Sequence, residues 1–300
     1  MGAQGIILGS RGSDLALAQV RLVQQALSSA WPELKVEVEI IRTSGDEGSR
    51  SIEIADRKAG RKGMFTREIE KQLLDERIDL AVHSAKDLPS QRLEDLEIGA
   101  VLPRGRTGDV LITKGELSLT SLPKGAVVAT GSVRRTHQLL RQRPDLRVVN
   151  LRGNVPTRLR KLGENADWAG IILARAGLER LGIEVKMEEL SEQDFVPAGG
   201  QGIVALQVRR HDERLRKIVR AICHETTLLC LQAEREFLRL LDGDCDSPVG
   251  VHASIVQEQM HLYAQVFTTD GSTAYVGQAS GPCHSPEPLA AELFSTIYGD

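Results

Sequence analysis

The sequence predicts an α/β protein of two similar domains followed by a small α+β domain. Three observations carry this. The chain has 300 residues, more than one hydrophobic core usually supports. Short β-branched runs alternate with helical patterns through most of it, as in a parallel sheet covered by helices. From Glu225 that alternation gives way to one long helical pattern and three strand-like runs. The expected boundaries are residues 1–103 with 203–222 for the first domain, 104–202 for the second and 223–300 for the third.

Within the first domain, Ile6–Gly9 reads as a strand, Ser13–Ala30 as an amphipathic helix and Leu34–Ile41 as the next strand. Thr43–Gly63 is polar and glycine-bearing with five basic residues, which reads as a mobile loop. Met64–Arg77 resumes as helix and Ile78–His83 as a buried strand. After Pro103 the series repeats: strands at Ala126–Thr130, Leu146–Leu151 and Gly170–Ala174 alternate with helices at Arg134–Arg143, Val155–Leu162 and Ala176–Leu181. The glycine-rich Pro197–Gly202 then reads as a crossing segment that returns the chain through Ile203–Val208 to the first domain. Glu225–Leu241 reads as a long helix, followed by strands at Val251–Val256, Leu262–Phe267 and Ala274–Gln278, with Asp270-Gly271 as a hairpin turn. Glu287–Tyr298 reads as a final helix.

Bulk properties exclude several function classes. Apolar residues make up 41% and charged residues 26%, an ordinary globular composition. A net charge of -3 gives no overall attraction to nucleic acid or anionic membrane. The first apolar run, Ile6-Ile7-Leu8, is too short for a signal-peptide core or a spanning helix, so a cytoplasmic protein is expected. The Met-Gly start lacks the Ser or Thr that myristoylation wants, since Ile6 stands there. Cys223, Cys230, Cys245 and Cys283 form no CxxC pair, and reduced thiols are expected. The seven histidines are dispersed, without metal-ligand spacing; no metal is expected.

The stretch Arg134–Arg160 holds eight arginines and one acid, Asp145, in a chain that is acidic overall. Solvated helix faces would explain such a run, but its arrangement points elsewhere. Thr130-Gly-Ser-Val-Arg-Arg135 sets Ser132, Arg134 and Arg135 where a strand ends and a helix begins, the edge at which open α/β sheets bind ligands. Helix-start N–H groups favour anions there, and each arginine can grip a carboxylate through two parallel hydrogen bonds. Leu151-Arg-Gly-Asn154 with Thr157-Arg158 repeats this one unit later, and Gly9-Ser-Arg-Gly-Ser13 places Arg11 and Ser13 likewise. No GxGxxG or GxxxxGK[ST] occurs, so nucleotide phosphate fits poorly. Aromatics at 3% leave no stacking platform for nucleic acid. Charge-assisted hydrogen bonds contribute about 1.5–3 kcal/mol each, so several arginines imply a small ligand with several carboxylates.

Ile78-Asp-Leu-Ala-Val-His-Ser-Ala-Lys-Asp-Leu-Pro89 reads as a buried strand running into a polar turn stopped by proline, with Lys86 and Asp87 at the strand's carboxyl end. His83 and Ser84 admit a hydrolase triad or a buried structural histidine; Ser84 lacks the Gly-x-Ser-x-Gly elbow. Cys223 and Cys230 lie seven residues apart, on one helical face, and read as core. Cys245 lies in a glycine-bearing acidic loop, Leu241–Gly250. On residues alone it reads as an incidental thiol, and Asp244 and Asp246 disfavour its thiolate.

Several blocks taken together resemble the porphobilinogen deaminase (hydroxymethylbilane synthase) family: Arg11–Ala16, Lys62-Gly-Met-Phe65, Ala81–Pro89, Gly131–Arg135, Leu151–Asn154, Thr157-Arg158, Ala176-Gly-Leu178, Pro197–Gly202 and the Cys245 loop. The resemblance implies two periplasmic-binding-protein-like (type II) α/β domains flanking a cleft, plus a small α+β domain that carries Cys245. It implies a transferase of tetrapyrrole (haem) biosynthesis, acting as a monomer on the small molecule porphobilinogen, with no nucleic-acid or membrane partner. Four substrate units would join with loss of ammonia on a dipyrromethane cofactor bound to Cys245 by a thioether. Asp87 would be catalytic, opposing the cation formed as ammonia leaves. Lys58, Lys86, Ser132, Arg134, Arg135 and Arg158 would hold the cofactor, and Arg11, Ser13, Arg152 and Arg180 the substrate, through the acetate and propionate groups that each pyrrole bears. As a cleft residue, Arg134 is expected to contribute little to the core. Two departures from the family pattern are Gly131, where serine is frequent, and Asp244, where glycine precedes the cysteine. A non-catalytic two-lobed carboxylate-binding protein is the alternative.

Overall fold

The computed structural model describes residues 5–43, 66–91, 93–242 and 247–299. Lys58, Cys245 and positions 44–63 of the expected loop lie outside the described residues. The chain begins β1 (Ile6–Ser10), α1 (Asp14–Ala30), β2 (Val36–Ile40), α2 (Arg67–Leu74), β3 (Leu80–Ser84), β4 (Leu96–Val101). It continues β5 (Asp109–Thr113), β6 (Val127–Ala129), α3 (Val133–Gln142), β7 (Arg147–Val149), α4 (Val155–Glu164), β8 (Trp168–Ala174), α5 (Arg175–Arg180), β9 (Glu188–Glu189). It ends β10 (Val204–Arg209), α6 (Glu213–Arg220), α7 (Glu225–Leu240), β11 (Val249–Val256), β12 (Gln259–Phe267), β13 (Ala274–Pro282), α8 (Pro286–Tyr298).

Two five-stranded sheets share one plan, in the orders β2-β1-β3-β10-β4 and β7-β6-β8-β5-β9. β1 runs parallel to β2 and β3, and β6 parallel to β7 and β8. The parallel pairing that the alternation predicts covers these strands, and one further strand in each sheet departs from it. β10 runs antiparallel to β3 and β4, and β5 antiparallel to β8 and β9. Each of these strands follows directly on a crossing segment, so it enters its sheet from the opposite end.

Helix starts are set by short polar side chains that take over unpaired backbone N–H groups. Ser13 Oγ accepts from Ala16 N, Ser132 Oγ from Arg135 N and Asn154 Oδ1 from Thr157 N. These caps sit at the carboxyl ends of β1, β6 and β7, so they aim three helix starts at one edge of each sheet.

The third sheet is an antiparallel meander, β11-β12-β13, with α7 and α8 packed on it through Phe237, Val251, Ala264 and Leu293. Gln257 and Glu258, with φ of 49° and 65°, form the two-residue turn between β11 and β12, whose left-handed pair matches strand twist. Asp270 Oδ1 closes the next turn by accepting from Ser272 N. Cys230 is buried in α7, but Cys223 is half-buried in the turn before it. The shared helical face is therefore corrected: His224 caps α7 through Thr227 N, and Cys223 precedes the cap. Among the described residues, no helix is long and apolar enough to cross a membrane.

Candidate active site

β3 ends in a single helical turn, Ala85–Asp87, which Leu88 leaves in extended conformation before Pro89. Lys86 and Asp87 thus stand at the strand's carboxyl end, half-buried. The first turn of α3 supplies Arg134 and Arg135 and the first turn of α4 supplies Arg158. These groups lie within reach of one another's charge. Lys86 lies in the fields of Arg135, Asp87, Asp109 and Arg134, and Arg158 in those of Arg135 and Asp87. The result is four cations facing two carboxylates.

Asp109, the first residue of β5, organises this cluster and was not anticipated. It is fully buried; Arg134 Nη1 lies 2.8 Å from its Oδ2, while Arg135 Nη2 donates to Oδ1 at 2.7 Å and Gln201 Nε2 at 2.8 Å. Burial by itself would raise the Asp109 carboxyl, but Arg134 and Arg135 outweigh it and hold it well below the usual carboxylate range. Gln201 also brings its Oε1 to 3.5 Å from Lys86 Nζ, joining Lys86 to Asp109.

The expectation that Arg134 stands in an open cleft and contributes little to the core is corrected. Arg134 and Arg135 are 3% and 5% exposed. Arg134 also donates to Gln138 Oε1 and to the Val196 carbonyl, and Arg135 to the Ile172 carbonyl. A guanidinium this deep needs several partners, because burying an unpaired charge is prohibitive.

Unspent capacity remains on the arginine cluster. Arg135 Nε is buried without a hydrogen-bond partner, a donor that a ligand oxygen would satisfy. Burial first, then the Arg135 guanidinium, push the Lys86 ammonium down to about 8. The same two causes bring Arg158 down to about 10. Cations depressed by one another are stabilised when an anion enters among them. The residues therefore fit a small molecule bearing carboxylates.

The other expected residues occupy varied positions. Arg158 Nε donates to the Gly153 carbonyl at 2.7 Å, and Arg180 Nη2 to the Gly202 carbonyl at 2.6 Å. Arg11 is half-buried and lies close enough to lower His83 by its charge. Ser13 and Ser132 spend an acceptor on capping, which leaves each hydroxyl hydrogen free to donate. Arg152 is exposed, and its carbonyl accepts from Lys161 Nζ; among the described residues, no hydrogen bond or ion pair joins its side chain to the cluster. The hydrolase reading fails on geometry: His83 is buried with Nε2 3.1 Å from Gln207 Oε1, and Ser84 Oγ accepts from Gln19 Nε2. Among the described residues, no group of three or more His, Cys, Asp or Glu is placed to hold a metal ion.

Gly131 has a steric reason in this chain. A Cβ there would lie 2.4 Å from the Leu151 carbonyl oxygen, so glycine lets the end of β6 close on the turn that carries Arg152.

Comparison with known proteins shows the family of the chain. The family model for "Porphobilinogen deaminase, dipyromethane cofactor binding domain" matches residues 6–217, and that for "Porphobilinogen deaminase, C-terminal domain" matches 228–298. Porphobilinogen deaminase of Syntrophomonas wolfei is 45% identical over 93% of this chain and 90% of that protein. That of Desulforudis audaxviator is 44% identical over 96% and 92%. Among solved structures, the chain is similar to the periplasmic VFT2 domain of Bordetella pertussis BvgS, at 14% identity over 73% of this chain and 86% of that one, TM-score 0.42. It is similar also to the Escherichia coli aliphatic sulphonate binding protein SsuA, at 14% identity over 79% and 70%, TM-score 0.42. With two models spanning nearly all of it and relatives above 40% identity, this chain belongs to the porphobilinogen deaminase family.

Proposed function

We propose that this chain condenses four porphobilinogen molecules, with loss of ammonia, into the linear tetrapyrrole hydroxymethylbilane. One observation carries the reading: Lys86 and Arg158 lie in the field of Asp87, beside Arg134 and Arg135 paired on the buried Asp109, with a guanidinium donor of Arg135 still unpaired. Family membership supports a dipyrromethane cofactor, and we assign its thioether anchor to Cys245. Among the other cysteines, burial first, then Glu234, push the Cys230 thiol up to about 12, and burial raises that of Cys223; both disfavour the thiolate that a covalent bond needs. Bound dipyrromethane supplies the pyrrole carbon from which the product grows. Arg134, Arg135, Arg158 and Lys86 hold acetate and propionate groups, and Ser13 and Ser132 can donate from their hydroxyls. Arg11, Arg152, Arg180 and Lys58 are assigned to the substrate and the lengthening chain.

Asp87 carries the repeated chemistry. As ammonia leaves the aminomethyl group of porphobilinogen, positive charge develops on the pyrrole, and the Asp87 carboxylate opposes it while accepting the pyrrole N–H. At about 4 Å and an effective dielectric of about 20 the attraction is roughly 4 kcal/mol. Realised mainly in the transition state, it supplies about a thousandfold in rate.

The same reading takes the chain as a cytoplasmic monomer of haem or related tetrapyrrole biosynthesis, divided at residues 1–103 with 203–222, 104–202 and 223–300. Separate buried clusters within each of the three sheets support that division. The test is turnover of porphobilinogen by the purified protein, with four ammonia expected per tetrapyrrole. Asp87→Ala should keep the wild-type circular dichroism spectrum and lose about a thousandfold in kcat. Substrate bound without ammonia release would instead support a carboxylate receptor and overturn the proposal.

A further inference from the structure

A second polar arrangement is built on Gln138, one turn along α3 from Arg134. Gln138 is fully buried and uses its whole amide: Oε1 accepts from Arg134 Nη1 at 2.9 Å, and Nε2 donates to the Val196 carbonyl at 3.0 Å and to Gln265 Oε1 at 2.9 Å. Arg134 Nη1 donates to the same Val196 carbonyl at 2.7 Å. Gln265, 3% exposed, lies on β12, where its register partner is Gly250 of β11. Gly250 presses on the same carbonyl so closely that a Cβ there would lie 2.4 Å from Val196 O. One backbone oxygen thus gathers α3, the second crossing segment and the β11–β12 pair.

Two buried glutamines are a costly way to fill this space, since leucines would need no partners. What a satisfied amide pair adds is a fixed register between the elements that carry it. The elements here matter to the reaction. Arg134 is a carboxylate partner, and Gly250 stands five residues after Cys245 in the chain.

We propose that Gln138 and Gln265 are positioning residues that clamp the Arg134 guanidinium to the strand leaving the cofactor-bearing loop. They fix β11, the strand that follows the loop in the chain, against Arg134 while the product lengthens. The inference rests on the functional reading above, with Cys245 as anchor and Arg134 as carboxylate partner.

The experiment uses the full-length protein as purified, with primer content read by intact mass and kcat and KM for porphobilinogen expressed per loaded chain. Arg134 holds the anchored chain rather than the incoming substrate. Gln265→Leu should therefore lower kcat about tenfold and leave KM within about twofold, the split expected when geometry rather than substrate affinity is lost. Should Gln265→Leu not fold, Gln265→Asn, which keeps the amide and shortens its reach, is read in the same way. Unchanged kcat per loaded chain in the variant that folds overturns the inference, whatever its melting temperature. A wild type that carries no primer and consumes no porphobilinogen overturns the functional reading instead.

Discussion

Asp109 shows how one residue can turn a run of positive charge into a built site. Arg134 and Arg135 sit in adjacent positions at a helix start, where their charges repel each other and oppose the helix dipole. A single buried carboxylate reconciles them, at 2.8 Å and 2.7 Å. Removing one partner from a buried ion network leaves uncompensated charge, so Asp109→Asn should cost about 3–5 kcal/mol, read as a lower urea midpoint. An unchanged midpoint would contradict the assignment. The acid dependence has a definite sign. The folded-state pKa of Asp109 lies below its ordinary value, so as pH falls the unfolded chain takes up the proton first. Its stabilisation is complete above the ordinary value of 3.8 and is lost as pH falls from there through the depressed folded value; Asp109→Asn should lack that loss. The sequence placed both arginines at the sheet edge but could not show them buried. Their partner lies 25 and 26 residues earlier, at the head of a strand that arrives from the other direction.

At the scale of elements, three strand ends and their capped helices were legible because Ser13, Ser132 and Asn154 each follow an apolar run and precede a helical period. β4 and β5 were not read. Gly99 interrupts Leu96–Val101, and Asp109–Thr113 is a short apolar run after a loop, with no alternation to mark it. α6 was also missed: its sequence Glu213–Arg220 is mostly charged, and only Leu215, Ile218 and Val219 turn inward. Gly131 is the element-scale feature most open to test. A Cβ there would meet the Leu151 carbonyl oxygen at 2.4 Å. Gly131→Ser should therefore destabilise the protein by about 1–3 kcal/mol, the usual cost of forcing atoms into a packed space. Thermal denaturation checks this, and a stability equal to wild type would show that the β7–α4 turn yields freely.

Across the whole molecule, the two lobes and the third domain are tied at one buried carboxylate. Glu234 of α7 is fully buried and accepts from Arg104 of the first crossing segment at 2.6 Å, from Gly200 N of the second at 2.7 Å and from Ala253 N of β11 at 2.8 Å. Both connectors between the lobes are thereby fastened to the domain whose sequence carries Cys245. The glycine-rich Pro197–Gly202 was legible as a crossing, but its grip on Glu234 was not, because a glutamate inside a long helical pattern ordinarily faces solvent. A cofactor anchored in the third domain and carboxylate partners housed in the second can act together only if this junction holds them in place. The central claim, that a permanent primer on Cys245 grows against the Asp87 cluster, is tested most directly by the mass of the intact purified protein with peptide mapping. The account predicts an excess over the sequence mass equal to one dipyrromethane, located on Cys245 and absent from Cys245→Ala; an active protein whose mass equals its sequence would contradict it.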